Sequence, residues 1–466
     1  MKYRRLVLQI FLHFFFLIFH FFFCFLKRSQ FISQACHAVN CTGNKEDTKD
    51  RKHPYFAKIF EEQFDDQMQD DHSNAQDGFP LGLILVDLDL LCHTVITGRV
   101  MEFNLVRDDI STETVDAAYM IDRENGYIRI SSFGAKTHKE FVAKLDSLRA
   151  RGMKNLVLDL EGNGGGYLTA AVEIANEFLE KSSLVVYTEG RANPRYNYNA
   201  IGGGRFLKGN IAVIVDETSA SAAEILAGAI QDWDRGVVVG RRSFGKGLVQ
   251  RPFQMPDGSM IRLTIARYYT PTGRCIQKPY NDSIKYEEDL MRRYNSGEMS
   301  SADSIHFPDS LKVHTLRLNR PVYGGGGIMP DYFVPMDTTR YTAYHRALAS
   351  KGSIVQASLR YLDENRKELE GKYKNVEDFD ANFVVDDRYM ALLKEQALKD
   401  SVELKGGEDE LRKSLPELQK QLKMYIARDL WDMSDFIKIY NKYNDSFLKA
   451  YELVRSRKMD KVLLKK

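Results

Sequence analysis

From about Val115 the apolar residues of this chain change period in a regular succession, two, then about 3.6, then two again, and few architectures accept that order. GYIRISSF has the period of a strand, HKEFVAKLDSLRARG that of a helix, and NLVLDL is a short apolar run of the kind a buried strand makes. EGNGGG then leads into a segment with Ala170, Ala171, Ile174, Ala175, Phe178 and Leu179 on one helical face. LVVYTEG and NIAVIVDE read as strands. The next helical segment carries Ile225, Leu226, Ala229, Ile230 and Trp233, and GVVVG is a further strand. Alternating strands and helices imply an α/β core. LVQRPFQMPDGSMIRLTIARYY adds two strands joined at the turn Pro256-Asp257-Gly258.

With 466 residues the chain exceeds what one hydrophobic core supports, and its composition shifts mark the divisions. Lys2, Arg4 and Arg5 precede a run from Leu6 to Leu26 broken only by Gln9, His13 and His20 and closed by Lys27 and Arg28. Residues 1–43 therefore read as a hydrophobic signal or anchor region, with an uncleaved membrane anchor favoured by the length of the run; either way the chain is exported. Residues 44–97 are polar and charge-rich and read as a linker, with one short amphipathic helix around Phe56 to Phe64. Residues 98–114 hold one strand-like stretch, residues 115–340 the α/β core, and residues 341–466 a charged helical appendage with Leu411, Leu415, Leu418, Leu422 and Ile426 on one stripe. That appendage reads as a packing or partner-binding region.

Sixty-six Lys and Arg against 64 Asp and Glu leave a net charge of +2, so nothing in the charge points to a nucleic-acid partner. The five cysteines, Cys24, Cys36, Cys41, Cys92 and Cys275, are irregularly spaced, and neither a disulfide framework nor a zinc-ligand pattern is visible. No metal and no cofactor is expected.

The chemistry instead concentrates in TSASAAEILAGAIQDWDRGVVVGRRSFGKGLVQ, residues 218 to 250. A strand, a short turn and a helix expose the turn side chain, here Ser221, and aim free helix N–H groups at it. A serine hydroxyl needs a base to become a nucleophile, and a lysine serves when burial lowers its preference for charge. Lys246, between Gly245 and Gly247 and beside Phe244, reads as such a closely packed amine, and Gln250, four residues on in a strand, lies on the same face and can orient it. The N–H of Ala222 and the backbone of Gly165 in GNGGG are candidate oxyanion donors. Taken alone, the serine reads as a helix cap rather than a nucleophile, and Asp232 reads as a structural cap or ion-pair partner. GRRSFGK matches the spacing of a phosphate-binding loop, but Gly247 stands where Ser or Thr is required and a strand follows instead of a helix.

At these residues the sequence resembles the C-terminal processing peptidases, or tail-specific proteases, over about Val115 to Pro335. The likeness runs through LVLDLEGNGGG, the Ser and Lys segment, PDGSMIRLTIARYYTPTGRCIQ and GGGGIMPDYFVP. YYTPTGRCIQKPY and VYGGGGIMPD look most like members from Bacteroidetes-type bacteria. The resemblance implies a serine endopeptidase with a ClpP/crotonase-like core, Ser221 as nucleophile, Lys246 as general base, Gln250 orienting it, and Gly165 with Ala222 forming the oxyanion hole. It also implies protein substrates with apolar C-terminal tails and, with the N-terminal run, a periplasmic or membrane-anchored location. The rival from another class is a non-catalytic peptide-binding relative. Two departures stand out: Glu161 occupies a position where the family usually has arginine, and Ala223 one where it often has serine. A PDZ domain usually precedes the core in this family, and here only GRVMEFNLVRDDI resembles its last strand, so that domain reads as truncated or degenerate.

Overall fold

The computed structural model describes residues 88–93, 100–105, 113–279, 286–456 and 459–463. The N-terminal apolar run and the helix expected near Phe56 to Phe64 lie outside the described residues. Among the described residues, no helix is long and apolar enough to cross a membrane. Strand β1 (Leu88–His93) pairs antiparallel with β2 (Val100–Leu105), Leu88 opposite Leu105 and His93 opposite Val100. β2 is the strand expected there, whereas β1 falls in the stretch read as linker, its short apolar run LDLLC having been set aside with the polar residues before it. This hairpin and Phe253–Ile261 belong to one compact unit; Ser111–Pro252 and Arg262–Lys466 form the other.

The second unit is built on a six-stranded sheet. Its strands are β3 (Ala117–Met120), β4 (Asn125–Arg129), β5 (Asn155–Asp159), β8 (Ile211–Val215), β9 (Val237–Gly240) and β12 (Tyr332–Phe333), in the order β12-β9-β8-β5-β4-β3. All neighbours are parallel except β3 and β4. The central strands are unbroken apolar runs because both faces are covered, as a parallel sheet requires. Leu156, Leu158, Val213 and Val238 face one layer, where helices α1 (Thr137–Ala150), α2 (Leu168–Asn176) and α3 (Ala222–Asp232) bring Phe141, Leu145, Ile174, Leu226 and Ile230. Their alternates, Val157, Ala212, Ile214, Val237 and Val239, face the other layer.

All residues of α3 are buried. The helical spacing of its apolar residues therefore does not mark one wet and one dry face; the helix runs through the interior. The second sheet has the order β10-β11-β6-β7, from β6 (Leu184–Gly190), β7 (Asn193–Asn199), β10 (Leu248–Gln254) and β11 (Met260–Tyr269), the last two being the strands expected on either side of Pro256-Asp257-Gly258.

The helical region after residue 341 is two bodies. Helices α5 (Ala343–Ser350), α6 (Ser353–Lys372), α7 (Val376–Asn382), α8 (Asp387–Lys399) and α9 (Gly407–Leu430) enclose their own core around Leu348, Ile354, Phe379, Tyr389, Leu418, Leu422 and Ile426; a short α4 (Asp289–Asn295) precedes them. Helices α10 (Met433–Tyr440), α11 (Asp445–Arg455) and α12 (Met459–Leu463) close the second face of the main sheet, where Ile437, Phe447, Ala450, Leu453 and Val454 meet Tyr127, Val157 and Ile214. The last helices are thus part of the α/β layering, and the expected boundary at residue 340 separates pieces that share a core.

Candidate active site

β8 ends in Asp216, whose Oδ1 accepts hydrogen bonds from Thr218 N (3.0 Å), Thr218 Oγ1 (2.8 Å) and Ser219 N (2.9 Å). Ser219 Oγ donates to Leu160 O at 2.7 Å, which ties this turn to the end of β5. The chain then enters α3 through Ser221 at φ +57° and ψ −114°. A non-glycine residue at positive φ costs on the order of 1–3 kcal/mol and persists only where its surroundings over-determine it.

Glu224, fully buried in the first turn of α3, supplies that constraint. Its Oε2 accepts from Ser221 N (2.8 Å) and Lys246 N (2.9 Å), and its Oε1 from Ser243 Oγ (2.6 Å) and Gly245 N (2.7 Å). Burial raises its carboxyl above the usual range and these four donors oppose the rise. The Ser221-x-x-Glu224 spacing is a capping-box signal that the sequence reading passed over. Phe244 N donates to Ser219 O at 2.9 Å, a second tie between the serine turn and the lysine loop.

Lys246 differs from expectation. Its side chain is exposed on the wall of a cleft of about 1310 Å³ that Gln250 also lines, but Lys246 precedes β10, so strand alternation does not relate the two. Among the described residues, no hydrogen bond joins its amine to Ser221. The amine packed on Phe244 belongs to Lys278, whose Nζ lies 3.8 Å from that ring centre and 4.0 Å from the ring of Tyr286. Burial lowers the Lys278 pKa, and Asp289, 3.3 Å away, opposes the shift. Phe244 therefore buries the wrong lysine for the sequence argument, because the chain turns at Gly245, φ +85°, and sends Lys246 outward.

Tyr268 opens the YYTPTGRCIQKPY segment, and the fold brings it to the site. Its phenol, 3% exposed, donates to the carbonyl of Lys246. Burial drives its ionisation well above the usual value, and the hydroxyl of Ser221 beside it favours the ionised form.

The glycine-rich loop after β5 lies against the serine. Gly165 has φ +100°, and a Cβ there would stand 2.6 Å from Ser221 Cβ, 2.8 Å from Ala220 O and 3.0 Å from Ala222 N. Only glycine allows that approach. Ala222 heads α3, where N–H groups lack intrahelical acceptors. The Gly165 N–H, by contrast, donates to Asn163 Oδ1 at 2.8 Å, while Asn163 Nδ2 donates to Ile130 O at 2.7 Å. Asp232 is fully buried and ion-paired to Arg274 at 2.7 Å, with Thr272 N and Oγ1 donating to it at 3.0 and 2.8 Å, which is the structural pairing expected of it.

A buried charged cluster flanks this loop. Tyr127 donates to Asp159 Oδ2 at 2.5 Å, Glu161 N to Asp159 Oδ1 at 2.8 Å, and Gly162 N to Asp216 Oδ2 at 3.1 Å. Arg129 pairs with Asp116 at 2.5 Å and Arg241 with Glu217 at 2.6 Å. Burial, and then the charges of Asp159 and Asp216, raise the Glu161 carboxyl well above the usual range.

A serine at a strained strand-to-helix turn, a lysine loop fastened to it and a glycine loop against its backbone thus meet at the head of α3. Residues 124–285 match the model of peptidase family S41. Residues 344–432 match a family of unknown function (DUF8443), which coincides with the self-contained helical body. Curated relatives include a carboxyl-terminal-processing protease of Picosynechococcus sp., 38% identical over 39% of this chain and 44% of that protein. A carboxy-terminal-processing protease of Bartonella bacilliformis is 32% identical over 51% of this chain and 54% of that protein. The carboxy-terminal processing protease CtpA of Bacillus subtilis is 35% identical over 38% of each. The chain thus spans about half the length of these relatives, or less. Among solved structures, a photosystem II D1 C-terminal processing protease matches at 31% identity and TM-score 0.33, covering 38% of this chain and 49% of that one.

Proposed function

We propose that this chain is a serine endopeptidase that cleaves protein substrates near their C-termini through an acyl-enzyme on Ser221. The single observation that carries the reading is that Ser221 and Lys246 are both fastened by their backbone N–H groups to the buried carboxylate of Glu224. Lys246, as the neutral amine, takes the Oγ proton while Oγ attacks the scissile carbonyl carbon; the ammonium then returns that proton to the leaving amine, and water repeats the sequence to release the acyl group. The oxyanion is received by the N–H groups of Ala222 and Gly165, the latter once it leaves Asn163. Gln250 orients the amine from the same cleft wall. Catalytic hydrogen bonds absent before substrate binds often form in the bound complex, which accommodates the exposed lysine.

The apolar part of the cleft, Leu248, Ile265, Leu311 and Val313, supports a preference for apolar tails. The mixed sheet with helices on both faces is compatible with a ClpP/crotonase-like core, and the β1–β2 hairpin with the end of a shortened PDZ domain. The run from Leu6 to Leu26 between basic residues supports export, to the periplasm or its membrane face. A second reading, a non-catalytic peptide-binding relative, is favoured by one feature only, the lack of a hydrogen bond between Ser221 and Lys246. Reaction with a serine-directed fluorophosphonate decides between them. The peptidase acquires the adduct on Ser221 and loses it in Ser221→Ala; an unlabelled Ser221 in a folded chain would leave the binding reading standing.

A further inference from the structure

Glu161 stands in the loop that carries Gly165, and its one direct side-chain partner among the described residues comes from the far end of the chain: Asn444 Nδ2 donates to Glu161 Oε2 at 2.6 Å. Asn444 is 6% exposed, and its orientation is set by its other end, since Oδ1 caps α11 by accepting from Ser446 N (3.0 Å) and Phe447 N (3.3 Å). Neighbouring contacts fix the segment independently, with Asn441 Nδ2 on Tyr119 Oη at 2.8 Å. The groups that face Glu161 are Asp159 and Asp216 from the ends of β5 and β8, Arg241 after β9, Arg129 of β4 and Tyr440 of α10. Arg129 pairs with Asp116 and Arg241 with Glu217, and among the described residues neither arginine bonds the Glu161 carboxyl directly.

We propose that Asn444 is a positioning residue of the peptidase site: by holding the Glu161 side chain it fixes the loop from Glu161 to Gly165 and so the oxyanion donor that this loop presents to Ser221. The proposal rests on the peptidase reading. The mechanical path is short. Glu161 N and Gly162 N hang from Asp159 and Asp216, and Ala220 N, one residue before Ser221, donates to Asn163 O at 2.9 Å, two residues before Gly165. A loop pinned by two carboxylates and pushed by a third carboxyl needs an uncharged donor on that third group, and Asn444 is that donor. The helices that close the second face of the sheet thereby take part in the geometry of the reaction.

Asn444→Asp in the full chain is the selective test, because an aspartate keeps the helix cap but replaces the donor with a carboxylate facing Glu161. The expected result, with β-casein as substrate, is an unfolding transition lowered by the new buried carboxylate yet still above the assay temperature, a nearly unchanged KM and a kcat lower by roughly ten- to a hundredfold, the scale of an ~1 Å displacement at a reacting centre. Its pH profile is expected to change shape, with the loss smallest on the acid side where the new pair shares a proton. The double variant Asn444→Asp/Glu161→Gln restores a hydrogen bond of reversed polarity and is expected to recover most of kcat. Wild-type kcat and pH profile in Asn444→Asp would overturn the proposal while leaving the peptidase reading intact, and so would a loss of kcat that the double variant does not recover. A wild-type chain that neither cleaves β-casein nor takes a fluorophosphonate at Ser221 would overturn both.

Discussion

Ser221 and Lys246 hang their backbone N–H groups from one atom, Oε2 of Glu224, at 2.8 and 2.9 Å. The carboxylate is therefore the joint between the nucleophile turn and the base loop, and it has two further donors on its other oxygen. Glu224→Ala leaves four buried donors without an acceptor, each worth on the order of 1–3 kcal/mol when unsatisfied. That variant is expected to lose several kcal/mol of stability and all measurable hydrolysis. Glu224→Gln, which keeps the shape but turns an acceptor into a donor, is expected to fold less stably than wild type and to lose at least tenfold in kcat. Chemical denaturation and casein hydrolysis, measured together, check both.

The nucleophile and base act as one unit, since the hydroxyl is inert without the amine and the amine has no other catalytic task. Ser221→Ala, Lys246→Ala and the double variant are expected to be equally inactive, within the error of the assay, and to unfold with wild-type transitions. Near-wild-type hydrolysis by Lys246→Ala would remove Lys246 from the mechanism and turn attention to the buried amine of Lys278.

What could be read from the sequence followed from how local each signal is. The succession of strand and helix periods is a property of short windows, and β4, α1, β5, α2 and β8 stand where it puts them. The burial of α3 on all sides is not, because it depends on which elements finally cover the helix. The glycine run at Gly162 to Gly166 announces a turn, but the role of Asn163 within it depends on Ile130, more than thirty residues earlier in the chain. Phe244 was a sound pointer to a packed lysine and named the wrong one, since the positive φ of Gly245 reverses the direction of the next side chain. Asn444 carries no motif and reaches Glu161 only through tertiary folding, and although Tyr268 opens YYTPTGRCIQKPY, nothing local in that segment places its hydroxyl beside Ser221.

The charged cluster has a pH consequence with a definite sign. Burial, then Asp159 and Asp216, push the Glu161 carboxyl up to about 8, and burial pushes Asp159 up to about 6, from ordinary values of 4.5 and 3.8. The folded chain therefore holds more protons than the unfolded one between the ordinary and the raised values, and stability falls as pH rises through that window. Glu161→Gln removes one of these protons from the balance, so its melting temperature is expected to decline less steeply than that of wild type between about pH 5 and pH 8. Parallel curves for the two proteins would show that Glu161 titrates with its ordinary value.

Asp232 offers a contrast inside the same helix. Its pair with Arg274 is almost wholly removed from solvent, at 0% and 1% side-chain exposure, and it anchors Thr272 as well. Breaking such a pair from one side costs about 3–5 kcal/mol. Asp232→Ala is expected to lose that much stability while the fraction that remains folded at low temperature keeps wild-type kcat, so the ratio of activity to folded protein, followed by circular dichroism, separates this residue from Glu224.

Gly165 is the glycine set directly against the nucleophile. Its φ of +100° disfavours any side chain, and even a methyl group would stand 2.6 Å from Ser221 Cβ and 2.8 Å from Ala220 O. Ser221 cannot retreat, because its own positive φ is fixed by α3 on one side and Glu224 on the other, so the glycine loop must move. Moving it keeps Gly165 N, released from Asn163, from reaching the position where an oxyanion forms, and losing one such donor costs roughly a hundred- to a thousandfold in kcat. Gly165→Ala is therefore expected to lose kcat on that scale with a smaller change in KM, and to lose on the order of 1–3 kcal/mol of stability from the strained backbone. If Gly165→Ala retained wild-type kcat, the loop would have room that this geometry denies, and the oxyanion donor would have to be sought elsewhere, at Ala222 alone or at the neighbouring N–H of Gly166.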